Sequence, residues 1–515
     1  MQYPPIAVIG AGLAGCECAL ALARRGIPCT LFEMKPGRFS PAHESTDLAE
    51  LVCSNSLRSN DPSSAVGVLK NEMRALGSLT MRVAEETRVP AGKALAVDRA
   101  RFSRRITEII EAEPLITLER REIASLDPAE DTALAPYQII LVTAGPLAGE
   151  ALSASLMALT GSQLYFYDAI APIVAGNSLN MEIVFRGSRY GTEKTGKKRK
   201  GGVEPEEAQV ASGAEADEGD YLNCPMNKEE YEAFYQALLS AQKAPTKDFE
   251  EIKHFEGCMP IEALAERGER TLTFGPFKPV GFDDPRTGRR PYALVQLRAE
   301  NLNGSMYNLV GCQTKLLYSE QARVFRMIPG LENAEFVRYG SMHRNTYVNA
   351  PEVLDENLAL LPAPGMALPE GKSIYLAGQI TGVEGYVESA ACGLWLGLGL
   401  AARLSGGKLA TPPAESALGA LLRHLRTPAK SKSGRFQPSN VQYGLMPEPE
   451  EKTRKAGRKE VYARRAEAAF AAWLAESGLA GGPGATNPAD SALPGAKARD
   501  CAPKTPAPEQ EGFDA

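Results

Sequence analysis

Between Ile6 and Glu33 the chain runs through a short apolar strand, Ile6-Ala-Val-Ile9, and then a glycine turn, Gly10-Ala11-Gly12-Leu13-Ala14-Gly15. An alanine- and leucine-rich helix from Cys16 to Arg25, closed by Gly26, leads to a second apolar strand, Cys29-Thr-Leu-Phe-Glu33. A GxGxxG pattern alone constrains little, because short glycine motifs arise by chance. Framed by two strands and a helix it demands a βαβ unit with parallel strands. Gly10 permits the turn, Gly12 lets the backbone approach a pyrophosphate, and Gly15 lets the helix pack on its strand. The helix N-terminus adds amide donors and positive potential. Glu33, about 20 residues on, stands where a carboxylate accepts ribose hydroxyls.

Further elements extend this unit. Ile139-Ile-Leu-Val-Thr-Ala-Gly145 and Ser373-Ile-Tyr-Leu-Ala-Gly378 read as buried parallel strands ending in glycine turns, and Val387 to Leu404 reads as a small-residue helix. The texture between them differs, with mixed strands and polar turns. The expected fold class is therefore α/β: a Rossmann-like FAD-binding domain, residues 1–149 and 327–474, interrupted by an inserted α+β domain, residues 150–326, with helical basic segments toward the C-terminus. Residues 191–220, rich in Gly, Lys, Glu and Ala without apolar periodicity, read as a flexible insertion, and residues 475–515 as a disordered tail. With 515 residues, 44% of them hydrophobic, the chain has material for two to four domains at about 150 residues each.

FAD rather than NAD is favoured because Leu376-Ala-Gly-Gln-Ile-Thr-Gly382 is similar to the second flavin-contact motif of two-segment FAD domains. That assigns Gly378, Gln379, Gly382 and Tyr386 to the cofactor beside Gly10 to Gly15 and Glu33. No second GxGxxG is present, so a nicotinamide reductant, NADPH or NADH, is expected to bind transiently. No run approaches the roughly 18 uncharged apolar residues of a membrane span, and no signal peptide is evident, so the cytoplasm is the expected compartment. Nine cysteines with no CxxC pair fit reduced thiols. Four scattered histidines predict no metal site.

Two thiols stand out. Cys53, in Glu50-Leu-Val-Cys-Ser-Asn-Ser-Leu-Arg58, lies among helix-capping residues with an arginine nearby, which suits acid/base work. Cys224, in Tyr221-Leu-Asn-Cys-Pro-Met226, precedes a proline in an expected exposed turn. Cys16, Cys18, Cys258, Cys312 and Cys392 sit among apolar or small residues and are expected to be buried.

The glycine turn, the Cys53 run, Leu222-Asn-Cys-Pro225, Gly340-Ser-Met-His-Arg-Asn-Thr-Tyr347, Leu376 to Tyr386, Phe436-Gln-Pro-Ser-Asn440 and Tyr443-Gly-Leu-Met-Pro447 together resemble the folate- and FAD-dependent tRNA (uracil-5-)-methyltransferases. The resemblance spans most of the chain and departs at residues 191–220 and in the tail. It implies methylation of the T-loop uridine at tRNA position 54, with methylenetetrahydrofolate as carbon donor and reduced FAD as hydride donor. It also implies two catalytic thiols, Cys224 as nucleophile and Cys53 as base, with the reverse assignment open. His343, Arg344 and Asn345 become the expected folate contacts.

The formal charge of −6 is unevenly spread: bases outnumber acids from Arg423 to Arg465. Lys430, Lys432, Arg435, Arg454, Lys455, Arg458, Lys459 and Arg464 are candidate tRNA phosphate contacts, while Lys197 to Lys200 lies in the departing insertion. No stable protein partner is required by this reading. Its rivals are the related flavoproteins that modify wobble uridines with a partner GTPase, a metabolic flavin oxidoreductase without RNA, and a tRNA-binding folding aid without catalysis.

Overall fold

The computed structural model describes residues 3–161, 164–187, 220–244, 259–428, 436–451, 454 and 457–479. All but the last residue of the expected 191–220 insertion, and the tail from 480 onward, lie outside the described residues. The helix Arg458–Glu476 runs through the expected start of that tail at 475.

A five-stranded parallel sheet carries the first core. Its strand order is Ser373–Leu376, Ile139–Val142, Ile6–Ile9, Cys29–Phe32, Ile116–Glu119. Ile6–Ile9 is buried at every position, as expected of a parallel strand covered on both faces. The glycine turn delivers the chain into the helix Leu13–Ala23, which packs against the helix Tyr386–Leu404. Glycine makes that contact possible: a Cβ on Gly393 would meet the Ala14 carbonyl oxygen at 2.1 Å. Tyr386–Leu404 is long and apolar enough by length and composition to cross a membrane, a run the sequence reading had not counted. Here residues Val387–Ala401 are buried in the protein.

A six-stranded sheet forms a second core, ordered Phe185–Gly187, Tyr221–Met226, Ala293–Ala299, Met306–Leu309, Ile173–Ala175, Phe336–Arg338. It reaches past the expected boundary at 326. Conversely, the helix Glu150–Thr160, inside the expected insertion, contributes Leu152 and Leu156 to the first core. Between the cores the chain crosses twice, as the antiparallel pair Leu164–Ala169 and Met342–Tyr347. A small sheet of Ser56–Ser59, Ala94–Val97 and Arg88–Val89 supports the segment after Cys53. The helix Arg99–Ala112 starts at Asp98, whose side chain accepts from the Arg101 amide at 3.1 Å and caps the first turn.

Candidate active site

The glycine turn opens one wall of a deep cavity lined by Gly10, Ala11, Gly12, Leu13, Ala14, Phe32, Glu33, Lys35, His43, Thr143, Gln379 and Tyr386. Glu33 Oε2 accepts from the Ala11 amide at 3.1 Å and Oε1 from the Lys35 amide at 3.0 Å. Both carboxylate oxygens are thereby held at the cavity mouth with lone pairs left for hydroxyl donors. A Cβ at Gly12 would meet nothing within 4 Å, so the backbone there faces open space, as close approach of a pyrophosphate requires. These residues fit a dinucleotide. Three of the expected cofactor glycines are absent from the cavity wall. Gly15 packs on Gly10, Gly378 on Ala14, and Gly382, at φ 92°, on the Phe436 ring. They shape the wall from behind.

A second cleft opens beside the first and shares Val52, Pro146, Leu147, Gln379 and Tyr386 with it. Together the two form one continuous concave surface through the residues they share. Cys53, Asp168, Arg298, His343, Asn345 and Glu384 line the second cleft, and Cys53 follows Val52, which lines both.

The segment that carries Cys53 is pinned residue by residue. The Tyr386 hydroxyl accepts from the Cys53 amide at 2.7 Å and the Ser54 amide at 3.2 Å. Burial, with the Cys53 charge second, pushes the Tyr386 phenol well above its ordinary range and keeps its proton on. Ser54 Oγ accepts from Arg298 Nη2 and Asn55 Oδ1 from Arg298 Nε, both at 2.7 Å. Asn55 Nδ2 donates to the Val97 and Ala299 carbonyls at 2.9 Å each. Arg58, at φ 64°, pairs with the buried Glu388, and Lys70 Nζ donates to the Arg58 and Ser59 carbonyls at 3.1 and 2.7 Å. The arginine that the sequence places near the thiol thus serves the helix Tyr386–Leu404.

Cys224 lies elsewhere. Side chains alternate along a strand, so cross-strand partners share a face. Cys224 pairs with Val295 and Leu222 with Leu297, all buried in the second core, whereas Asn223 pairs with Gln296 on the face that also carries Arg298. Cys224 is 0% exposed, and burial pushes its thiol far up. The expected exposed turn is the middle of a strand, because Pro225 sits where the sheet tolerates it. Cys16, Cys18, Cys312 and Cys392 are buried as expected, and Cys258 lies outside the described residues.

The same alternation sorts the expected folate contacts. His343 and Asn345 face the cleft, while Arg344 is on the outer face with its guanidinium 4.2 Å from the centre of the Tyr165 ring. Burial, with Arg338 second, lowers the His343 pKa, so the ring is a neutral plane. Glu384, which no expectation included, accepts from Gln379 Nε2 at 2.8 Å. Burial and then Asp168 hold its carboxyl well above the usual range. Its place between Gly382 and Gly385 is a local signal, whereas Asp168 and Arg298 reach the cleft only through the second sheet. Phe436 to Asn440 braces this loop: the Glu384 amide donates to the Ser439 carbonyl, the Ser439 amide to the Gly382 carbonyl, and Asn440 Nδ2 to the Glu384 carbonyl.

Of the expected phosphate contacts, Lys430, Lys432, Arg435 and Lys455 lie outside the described residues. Arg454 and Lys459 are exposed. Arg458 pairs with Glu448 at 2.8 Å and Arg464 with Glu451 at 2.9 Å. Among the described residues no cluster suited to a metal ion occurs.

The family model described as glucose inhibited division protein A matches residues 5–209 and 197–408. Over 473 residues the chain is 63% identical to the methylenetetrahydrofolate--tRNA-(uracil-5-)-methyltransferase TrmFO of Nitratidesulfovibrio vulgaris, covering 92% of each chain. Over 471 residues it is 52% identical to the protein of the same name from Geobacter sulfurreducens, covering 91% of this chain and 99% of the other. Among solved structures, GidA of Aquifex aeolicus superposes with a TM-score of 0.60 at 17% identity, over 92% of this chain and 73% of that one. That last likeness bears on the fold alone.

Proposed function

The chain belongs to the family of methylenetetrahydrofolate--tRNA-(uracil-5-)-methyltransferases, and from that premise we propose that it methylates C5 of the T-loop uridine of tRNA with Cys53 as the thiol at the reacting base. The observation that carries this reading is the position of Cys53, in the cleft of His343 and Asn345, next to Val52 and bonded through its amide to Tyr386, both of which also line the glycine-turn cavity. FAD held along Gly10 to Ala14 and Glu33, when bound and reduced, supplies the hydride that turns a methylene into a methyl group.

Uracil C5 is a poor nucleophile. A thiolate adding at C6 gives an enolate that attacks the methylene carbon of the folate; a base takes the C5 proton, and loss of the folate amine leaves an exocyclic methylene on the base. After reduction the thiol leaves and aromaticity returns. In this scheme Tyr386 and Arg298 hold the backbone and neighbours of Cys53 in place. His343 offers a neutral face to the pterin and Asn345 a polar edge. The target uridine has to leave its stack to reach this cleft. Exposed Arg454 and Lys459, with the paired Arg458 and Arg464, are proposed to meet tRNA phosphates. The reductant is proposed to be a nicotinamide that binds transiently.

The role of nucleophile that the resemblance implies for Cys224, with Cys53 as base, needs the strand Tyr221–Met226 to turn its inner face outward; otherwise the reverse assignment applies and Cys53 is the nucleophile. Without that movement the proton acceptor is a cleft residue, with Asp168 and Glu384 at hand. The experiment is one assay: protein, methylenetetrahydrofolate, NADPH and unmodified tRNA transcript, followed by nucleoside mass spectrometry, with Cys53→Ala and Cys224→Ala alongside. Cys53→Ala is expected to keep its flavin and lose about a thousand-fold or more in rate. Cys224→Ala at wild-type rate limits that residue to packing, and its inactivity with flavin retained restores the two-thiol scheme. Product formation by Cys53→Ala would sink the proposal. A stable GTPase partner in pull-downs, with no methyluridine formed, would move the reading to wobble modification.

A further inference from the structure

Tyr318, Tyr339 and Phe336 form a continuous parallel stack on the surface. Tyr318 and Tyr339 have ring centres 4.9 Å apart at 14°, and Tyr339 and Phe336 5.1 Å apart at 10°. The Arg326 guanidinium, 5.9 Å from the Phe336 ring centre, closes one end. Tyr318 is the other end and is 59% exposed, so its far face is open to water. Tyr318 opens the helix Tyr318–Phe325, whose Gln321, Val324 and Phe325 fill the second core, so packing does not require an aromatic ring outside it.

The stack is fixed to the wall of the cleft. Gln321, on the helix of Tyr318, accepts from the Gly340 amide at 2.7 Å and donates to the Gly340 carbonyl at 2.8 Å. Gly340 joins Tyr339 to the strand that carries His343. Four residues at about 3.3 Å each put no more than about 13 Å of chain between Tyr339 and His343. Tyr318 adds one ring spacing, 4.9 Å, which keeps its exposed face in the neighbourhood of an RNA strand that enters the cleft.

We propose that this stack is a platform on which an unpaired base of the tRNA, beside the base being methylated, lies against the open face of Tyr318. The proposal rests on the tRNA reading given above. A flat aromatic end with an exposed ring and a cation at its other end matches the way unstacked bases are held, by π-faces irrespective of sequence. The cation–π contact from Arg326 anchors Phe336, the ring at the end away from Tyr318.

The test uses the full chain with FAD bound and an unmodified tRNA transcript, comparing Tyr318→Ala and Tyr318→Phe with wild type. Tyr318→Ala is expected to raise the Kd and KM for tRNA by about 5- to 150-fold, the range for losing one base–aromatic stack. kcat, flavin content and the KM for methylenetetrahydrofolate should hold, and Tyr318→Phe should behave as wild type. The slope of log Kd on log salt should also hold, because no phosphate contact is lost. Wild-type affinity in Tyr318→Ala overturns the proposal, and with it any base at this face, even if a protein is later found to bind there. So does a Phe variant as weak as the Ala variant, or a flattened salt slope. A wild-type enzyme that neither binds nor methylates tRNA overturns the underlying reading; one that methylates while Tyr318→Ala keeps its affinity removes the platform alone.

Discussion

At Gly15 the missing side chain is a steric requirement of the fold, and at Gly12 it is a requirement of the ligand. A Cβ on Gly15 would sit 1.9 Å from the Gly10 carbonyl oxygen, a backbone atom held by Thr143 Oγ1 at 2.9 Å, so nothing nearby can give way. A Cβ on Gly12 meets open space. Gly15→Ala is therefore expected to yield little folded protein, or a melting temperature well below wild type. Gly12→Ala should fold at a cost on the order of 1 kcal/mol and lose flavin on purification. Flavin absorbance and thermal melts on both variants check this; equal flavin content in Gly12→Ala and wild type would count against pyrophosphate at that turn. The glycine pattern is legible in sequence because the turn, the approach and the helix contact each need a named residue at a fixed spacing. The exact tenants of the cavity wall are less legible. Lys35 and His43 enter it because the chain doubles back after the second strand, with Lys35 Nζ tied to the Asp47 carbonyl at 2.6 Å and to Glu50 at 3.2 Å. Burial and then Lys35 lower the His43 pKa to about 4.

Strand register decides several roles that a linear reading leaves open. A two-residue period turns His343 and Asn345 inward and Arg344 outward, and it turns Cys224 into the second core. In sequence these neighbours look equivalent, because which face is buried depends on a partner strand many residues away. Register also bears on the segment between residues 187 and 221. Gly187 pairs with Tyr221 and Phe185 with Asn223 in an antiparallel hairpin, so the ends of that segment are already neighbours. Replacing residues 190–218 with an Asn-Gly turn is expected to leave methylation intact. Shortening the connection about five-fold relieves close to 1.5 kcal/mol of closure entropy at most, so stability should hold or rise slightly. Activity and salt-dependent tRNA binding of the shortened chain check this. A weaker salt dependence would give Lys197 to Lys200 a share in tRNA binding.

The catalytic segment is rooted in the first core by Leu51 and Leu57, and side chains from both cores position it. From the first side come the Tyr386 hydroxyl and the Arg58–Glu388 pair. From the second come Arg298, bonded to Ser54 and Asn55, and Arg338, whose Nη1 and Nη2 donate to the Val52 and Ala42 carbonyls at 3.1 and 2.8 Å. Glu300, on the same strand as Arg298, pairs with Arg99 at 2.9 Å, and Arg99 in turn donates to the Leu51 carbonyl. Such a bridge fixes Cys53 relative to two ligands at once, one held by each side of the cleft. Arg298→Met removes its contacts to Ser54 and Asn55. Asn55 Oδ1 is left without its donor, at a cost of about 1–3 kcal/mol, while the glycine-turn cavity is untouched. A displacement of Cys53 by about 1 Å is enough to lower kcat up to a hundred-fold. The expected outcome is full flavin content, a melting temperature a few degrees lower and kcat reduced about 10- to 100-fold, with Arg298→Lys recovering part of the loss. Flavin and activity falling together would instead mean that Arg298 holds the molecule together without aiming the thiol. An unchanged kcat would mean that the remaining contacts from Tyr386, Arg338 and Arg99 place Cys53 without Arg298.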